Sequence, residues 1–236
     1  MVVNIAQGSA SPKIAAKNQQ ALRQVWETIE PDSCPYRYNF HMHTIYSDGR
    51  LKPEELIKQA ITIGLKGLAI TDHHSVAGYQ VAQACIEKWQ QESSFCDSLP
   101  HFWTGVEITA KLLNDDVHIL GYAFEPEHPS LKRYFTGTAP TGNDAKAGAV
   151  IDAIHQAGGL AVLAHPARYR KSADELITAI AHLGIDGVET YYAYTNPEPW
   201  QPSPKQTKLV LQLSATYNLF NTCGTDTHGL SLLKRI

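Results

Sequence analysis

"GLAITDHHSVAG", residues 67–78, changes character twice. An apolar run suited to a buried strand gives way at Thr71 to Asp72, His73 and His74. Ser75 then offers a helix cap ahead of Ala82, Cys85, Ile86 and Trp89, which recur at helical spacing. A strand with a polar end that leads into a helix is the repeating unit of an α/β architecture with a parallel sheet. The fold therefore depends on whether the chain repeats this unit.

It does so along most of its length. Short apolar runs predict strands near 38–43, 66–71, 102–108, 117–124, 160–164, 185–191 and 219–223. Helix signals fall between them. Pro53 suits a first helical position, Asp144 can start a helix that ends at Gly158, and "SADE" at 172–175 is a capping box for a helix stopped by Gly184. A last helix is expected over 205–217. One joint breaks the rhythm: "ITAKLLNDDVHIL", 108–120, is too short for a helical crossover and reads as a hairpin. Before the first strand, Leu22, Val25, Trp26 and Ile29 mark an amphipathic helix ended by Pro31. The first dozen residues are expected to be disordered, and 126–142, rich in Pro, Gly and Thr, is expected to be the mobile loop. This divides the chain into an N-terminal tail and helix, 1–36, and a single domain, 37–236.

Composition removes several function classes. With 43% hydrophobic and 18% charged residues, the 236-residue chain can bury a continuous core. Its net charge of -3 leaves no general footprint for duplex nucleic acid. No apolar run approaches a membrane span, and "MVVNIAQGSASPK" lacks the pattern of a secretory signal, so a cytoplasmic protein is expected. Cys34, Cys85, Cys96 and Cys223 form no C-x-x-C pair, which argues against disulfides and thiolate zinc. Histidine is the abundant ligand type. Of eleven, His101, His128, His155 and His182 have no acidic or histidine neighbour at ligand spacing and read as ordinary surface or packing residues.

The other ligand-type side chains gather at strand ends. Strand one carries His41 and His43, with Asp48 in the following "SDG". Strand two ends in Asp72, His73 and His74, strand three in Glu107, strand five in His165. Strand six carries Glu189, strand seven ends in Asp226 and His228, and His118 lies early in strand four. In a parallel barrel the carboxyl ends of all strands meet on one face, so such residues converge. Each also has an ordinary reading taken alone: a wet strand face for H-x-H, a turn for "SDG", local hydrogen bonding for "TDH" or "AHP", an arginine partner for Glu189. Their joint occurrence points to a metal site. Nitrogen and carboxylate donors without thiolate suit zinc, manganese or iron, and a carboxylate such as Glu107 can bridge two ions. Two ions roughly 3.5–4 Å apart activate a hydroxide and neutralise a phosphoryl oxygen.

"HMHTIYSDG", "AITDHHSVAG", "GVEIT", "VHILGY", "LAHPARY" and "GTDTHG" resemble, in order and spacing, the motifs of the PHP (polymerase and histidinol phosphatase) family over residues 38–229. The resemblance implies a distorted seven-stranded (β/α) TIM-like barrel with two or three divalent ions, Mn, Fe or Zn. It implies His41, His43, Glu107 and Asp226 at one ion, Glu107, His118 and His165 at a second, and Asp48, His73 and His228 at a third. Within the family the chain looks most like the AMP and 3',5'-nucleoside bisphosphate phosphatases and the related short-RNA exonucleases. It departs from them by carrying His74 where that branch usually has aspartate, and by a short insertion, about 125–147, where they often have a longer one. The expected reaction is hydrolysis of a phosphate ester of a nucleotide or short oligonucleotide through a metal-bound hydroxide. Arg168 and Arg170 are candidates to grip a second phosphate or the leaving group, and Asp72 and His74 to orient water or protonate the leaving alcohol. The alternatives are a histidinol phosphate or other small-metabolite phosphatase, and a metal-binding regulatory module without turnover.

Overall fold

The computed structural model describes residues 16–91 and 99–236. Expectations about the first dozen residues, and about Cys96, lie outside these. Eight strands alternate with six helices among the described residues. The order is α1 (Gln19–Trp26), β1 (Tyr38–Asn39), α2 (Pro53–Ile63), β2 (Gly67–Ala69), α3 (Ala77–Gln91), β3 (His101–Trp103), β4 (Gly105–Leu112), β5 (Asp115–Tyr122), α4 (Ala147–Gln156), β6 (Leu160–Leu163), α5 (Ala173–Ala181), β7 (Gly187–Tyr191), α6 (Pro204–Tyr217) and β8 (Phe220–Cys223).

The strands form two sheets. β1-β2-β3 is parallel throughout. In β4-β5-β6-β7-β8 the first two pairings are antiparallel and the last two parallel. The antiparallel β4–β5 hairpin turns through Leu113 and Asn114, both at positive φ, and replaces a helical crossover. Backbone bonds also join the sheets. The Phe40 N–H donates to the Cys223 carbonyl at 3.1 Å, the Glu107 N–H to the Asp72 carbonyl at 3.2 Å, and the His74 N–H to the Glu107 carbonyl at 2.9 Å.

The strand expected over 102–108 is two strands. Its halves part at Thr104: β3 stays with β2, whereas β4 turns to pair with β5. Thr104 sits outside both ladders. Its N–H donates to the Ala16 carbonyl, and its hydroxyl donates to the Phe124 carbonyl at 2.9 Å. The first strand is also shorter than expected, because 40–43 bond irregularly to the loop after β8 through the Met42–Thr227 bridge.

The helix signals act as the sequence predicts, with two exceptions, the first being that α1 ends at Trp26, before Ile29 and Pro31. Pro53 opens α2, and Gly64 ends it at φ +83°. Ser172 and Glu175 form the reciprocal capping box of α5. The Ser75 hydroxyl accepts the Ala77 N–H at the start of α3. Asp144, by contrast, does not cap α4. Its carboxylate accepts from Arg133 at 3.0 Å, and the helix starts at Ala147 behind Lys146.

Alternation along the first strand separates packing from chemistry. Phe40 enters an aromatic cluster with Trp26, Trp103 and Tyr122, and Met42 enters a second core with Leu56, Leu68 and Ile70. A fully buried side chain of this size stabilises the fold by about 1.5–3 kcal/mol relative to exposure. Helix α1 packs Leu22 and Trp26 into the aromatic cluster. The 126–142 segment, expected to be mobile, is pinned. Leu131 and Tyr134 are fully buried, and the Gly137 N–H donates to the His74 carbonyl at 3.1 Å. No helix among the described residues is long and apolar enough to cross a membrane.

Candidate metal centre

His41 and His43 leave the first strand on the side opposite Phe40 and Met42, and both are fully buried. Gly224 makes their approach to the β8 end feasible, since any Cβ there would overlap the His41 side chain. His74, His165 and Asp226 sit at φ +50°, +26° and +53°. Left-handed backbone at non-glycine residues costs on the order of 1–3 kcal/mol each, and here it clusters at the strand ends that present polar groups.

Glu107 lies at the centre. Its Oε2 is 3.1 Å from both His41 Nε2 and His43 Nε2 and 3.6 Å from His73 Nδ1. Its Oε1 is 2.7 Å from His118 Nδ1 and 3.5 Å from His165 Nε2. Asp226 turns Oδ1 toward the same imidazoles, 3.4 Å from His41 Nε2 and 3.2 Å from His43 Nε2. Asp48 lies 3.1 Å from His228 Nε2 and 3.7 Å from His73 Nε2. All nine residues that the sequence singles out as candidate ligands are therefore brought together. Donor atoms fall into three groups tight enough to hold an ion: His41, His43, Glu107 and Asp226; His73, Glu107 and His118; and His43, Asp48, His73 and His228. His73 and His43 thus share groups that the sequence reading keeps apart. His165 reaches Glu107 without joining a tight group.

The donor set fits divalent ions on one further observation. His43 Nε2 is fully buried between two carboxylate oxygens, yet it makes a hydrogen bond to neither. Behind His41, Glu189 accepts from Nδ1 at 3.0 Å. A carboxylate can only accept, so this bond places a proton on Nδ1 and directs Nε2 inward. Glu189 also accepts the His165 N–H at 2.9 Å.

Proton affinities follow from this crowding. Burial alone would lower the His41 pKa, but Glu189, Glu107 and Asp226 raise it well above the ordinary value. His43 is likewise raised to about 9 by Asp226 and Glu107 against burial. His73 falls to about 4, chiefly through burial, against the raising effect of Glu107 and with smaller lowering effects from His43 and His118. Burial would raise Glu107 and Asp226, yet the imidazoles hold both well below the usual carboxylate range. Binding a divalent ion here must displace protons, so it is favoured by rising pH.

A cavity of about 310 Å³ opens onto the cluster, lined by Asp48, His73, His118, His228, Arg168 and Tyr169 among others. Arg168 donates from Nη1 to Asp226 Oδ2 at 3.0 Å and to the Tyr192 hydroxyl at 3.1 Å. Arg170 lies elsewhere. Its side chain is 85% exposed, and Nε is 3.5 Å from Asp115. Asp72 and His74, the candidates for proton transfer, do not line the cavity. Asp72 is fully buried and accepts from the Thr44 N–H, the Thr44 hydroxyl and the Ser47 hydroxyl at 2.7, 2.7 and 2.8 Å. His74 is turned to Thr109 at 3.1 Å, and burial lowers its pKa.

Three further participants are not among the candidate residues read from the sequence, although Tyr169 ends the "LAHPARY" motif. Arg235 donates from Nε to Asp226 Oδ2 at 2.8 Å, and the Tyr192 hydroxyl donates to the same oxygen at 2.7 Å. Tyr169 lines the cavity and accepts the His118 N–H at 2.8 Å. Tyr192 follows a predicted strand directly, as several candidate ligands do, which is a usable signal. Arg235 offers none.

The PHP domain family matches this chain over residues 39–225. The chain belongs to the PHP domain family. Among curated relatives of this PHP protein, the 5'-3' exoribonuclease Rnm of Salmonella typhimurium is 26% identical, with 81% of this chain and 85% of that protein covered. That alignment runs over 262 positions, more than the whole of this chain, so the relative carries segments that this one lacks. The 3',5'-nucleoside bisphosphate phosphatase of Chromobacterium violaceum is 32% identical over 93 residues, 39% of this chain and 30% of that protein. A crystal structure from Bifidobacterium adolescentis, described as a metal-dependent phosphoesterase, superposes with a TM-score of 0.66 at 25% identity, covering 85% of this chain and 90% of that one.

Proposed function

We propose that this chain, a metal-dependent phosphoesterase of the PHP family, hydrolyses a phosphate ester of a nucleotide or short oligonucleotide. The observation that carries the reading is the convergence of five imidazoles on Glu107, with the Asp226 carboxylate beside it, beneath a cavity walled by Arg168. His41, His43, Glu107 and Asp226 would hold one divalent ion, Glu107, His118 and His165 a second, and Asp48, His73 and His228 a third. Divalent ions so held would supply positive charge for a phosphoryl oxygen and a nucleophile at neutral pH. Manganese, iron and zinc all suit the nitrogen and oxygen donors.

The chain's own groups supply the rest. Arg168 is placed to take a non-bridging phosphate oxygen by charge-assisted hydrogen bonds. Asp72 acts as a support: its three bonds to Thr44 and Ser47 fix the loop that carries Asp48. His74 ties the β2 end to Thr109 and to the 126–142 segment. The architecture we favour is the distorted seven-stranded barrel, with β3 and β4 as one strand bent at Thr104. The backbone bonds between the two sheets support it.

A nucleotide is favoured over a simple phosphate by an exposed aromatic close in sequence to a candidate ligand. Tyr46, two positions before Asp48, is an exposed large side chain. An aromatic ring offers a base a face to stack on. The test is an assay of manganese-loaded protein on adenosine 3',5'-bisphosphate, AMP, histidinol phosphate and a short 5'-phosphorylated RNA. Turnover of the adenine nucleotides or RNA is expected. Turnover of histidinol phosphate alone would overturn the reading.

A further inference from the structure

The β5–β6 ladder closes through a side chain. The two strands pair antiparallel as far as Ile119 and Leu163, and His118 and Ala164 are the next residues in register. In a hydrogen-bonded antiparallel pair, opposed residues exchange two direct N–H···O bonds. Here only one is direct, from the Ala164 N–H to the His118 carbonyl at 3.0 Å. The other is interrupted by the Tyr169 hydroxyl, which accepts the His118 N–H at 2.8 Å and donates to the Ala164 carbonyl at 3.2 Å. Both backbone groups are satisfied, yet an oxygen atom keeps them apart.

The interruption falls between two candidate ligands. His118 Nδ1 on β5 lies 2.7 Å from Glu107 Oε1, and His165 Nε2, from the residue after Ala164, lies 3.5 Å from the same oxygen. His165 leaves the ladder in left-handed backbone, at φ +26°, and its N–H goes to Glu189. The two imidazoles stand edge to face with centroids 5.5 Å apart. The Tyr169 ring lies against both, 6.4 Å from His118 and 5.3 Å from His165. A direct bond in place of the hydroxyl would draw the Ala164 carbonyl toward β5 and carry His165 with it.

We propose that Tyr169 is the positioning residue of the second ion: its hydroxyl holds the end of β6 away from β5 at the separation that lets His118 and His165 share one ion with Glu107. This rests on the assignment of those three residues to that ion. In this role Tyr169 touches neither metal nor substrate and acts through the two histidines. The ion held by His41, His43, Glu107 and Asp226 does not depend on the phenol.

The experiment is equilibrium dialysis of metal-free full-length protein against manganese alone, with bound metal counted in the wild type, Tyr169→Phe, His118→Ala and the double variant. Tyr169→Phe keeps the ring and removes only the oxygen, which leaves the His118 N–H free to pair directly with the Ala164 carbonyl. Its urea midpoint without metal should therefore stay near that of the wild type. It should bind one ion about 10- to 100-fold more weakly, the usual cost of losing a group that orients a ligand, and keep another at wild-type affinity. Both substitutions act on the same ion, so adding Tyr169→Phe to His118→Ala should change binding by less than about twofold. Wild-type binding in Tyr169→Phe, a further large loss in the double variant, or equal weakening of every ion together with a lowered urea midpoint overturns the positioning role. Failure of the ion assignment looks different, and removes the role with it: His118→Ala would bind manganese as the wild type does.

Discussion

Glu189 braces His41 from behind: its Oε1 accepts from His41 Nδ1 at 3.0 Å, while the ring's Nε2 lies 3.1 Å from Glu107. Replacing Glu189 with Gln pits an amide N–H₂ against either the His41 or the His165 donor. Partners in this position typically contribute 10- to 100-fold in metal affinity. Glu189→Gln should therefore need about that much more manganese to reach half-maximal activity, and excess metal should recover most of the rate. An unchanged metal titration would assign Glu189 to packing alone.

Asp72 is expected to act through structure. Three donors end on its buried carboxylate, and hydrogen bonds to charged groups contribute about 1.5–3 kcal/mol each. Asp72→Asn should lower unfolding stability by about 2–4 kcal/mol in urea, with a loss of turnover that follows from displacement of the Asp48 loop. Gly78→Ala should act on the same point, because the added methyl would overlap Asp72 Oδ2. Wild-type stability in Asp72→Asn with turnover abolished would instead make Asp72 a participant in the chemistry.

The two arginines of "ARYRK" should separate cleanly. Arg168 lines the cavity and bonds Asp226, whereas Arg170 projects to solvent. Arg168→Gln is expected to lower kcat/KM by about tenfold or more, and Arg170→Gln to stay within about twofold, as exposed charges usually do. Steady-state kinetics on one substrate decides it.

Far from the cluster, Asp186 accepts from Arg23 at 2.9 Å, from His155 at 2.7 Å and from the Ala161 N–H at 2.9 Å. The bond to Asp186 raises the His155 pKa, against a smaller effect of burial. Burial would raise Asp186, but His155 and the Ala161 N–H bring it below its usual value. The raised histidine stabilises the fold fully below its unfolded value of 6.5 and ceases to do so as pH rises through its folded value. The depressed carboxylate works in the opposite sense, and its contribution fades as pH falls through its folded value. Urea unfolding from pH 5 to 9 should show a stability decline as pH rises past 6.5 that is missing in His155→Gln. Parallel curves for the two proteins would rule the pair out as its source.

Much of this was legible because the informative residues are local. Ser172 and Glu175 cap a helix whatever surrounds them, and Pro53 and Gly64 bound one for the same reason. The nine candidate ligands announce themselves through residue type at strand ends. What stayed hidden depends on contacts distant in sequence. Asp144 can cap a helix until Arg133 claims its carboxylate. Thr104 reads as mid-strand until the hairpin draws β4 away from β3. Arg170 follows a ligand as closely as Arg168 does, but the two side chains project differently from an irregular turn. Arg235 reaches the site only because the segment around it folds back onto α2 and the β8 loop.

Glu107 also has a mechanical position. Its side chain meets four imidazoles within 3.5 Å, while its own N–H and carbonyl bond the Asp72 carbonyl and the His74 N–H, stitching β4 to the end of β2. The residue that gathers the candidate ligands is thus also a rivet between two sheets. Whatever tightens the grip on its carboxylate also stiffens that seam, so hydrogen exchange at the amides of His74 and Glu107 should slow as manganese is titrated in. The loading of the site would then be readable from the backbone, with no substrate present.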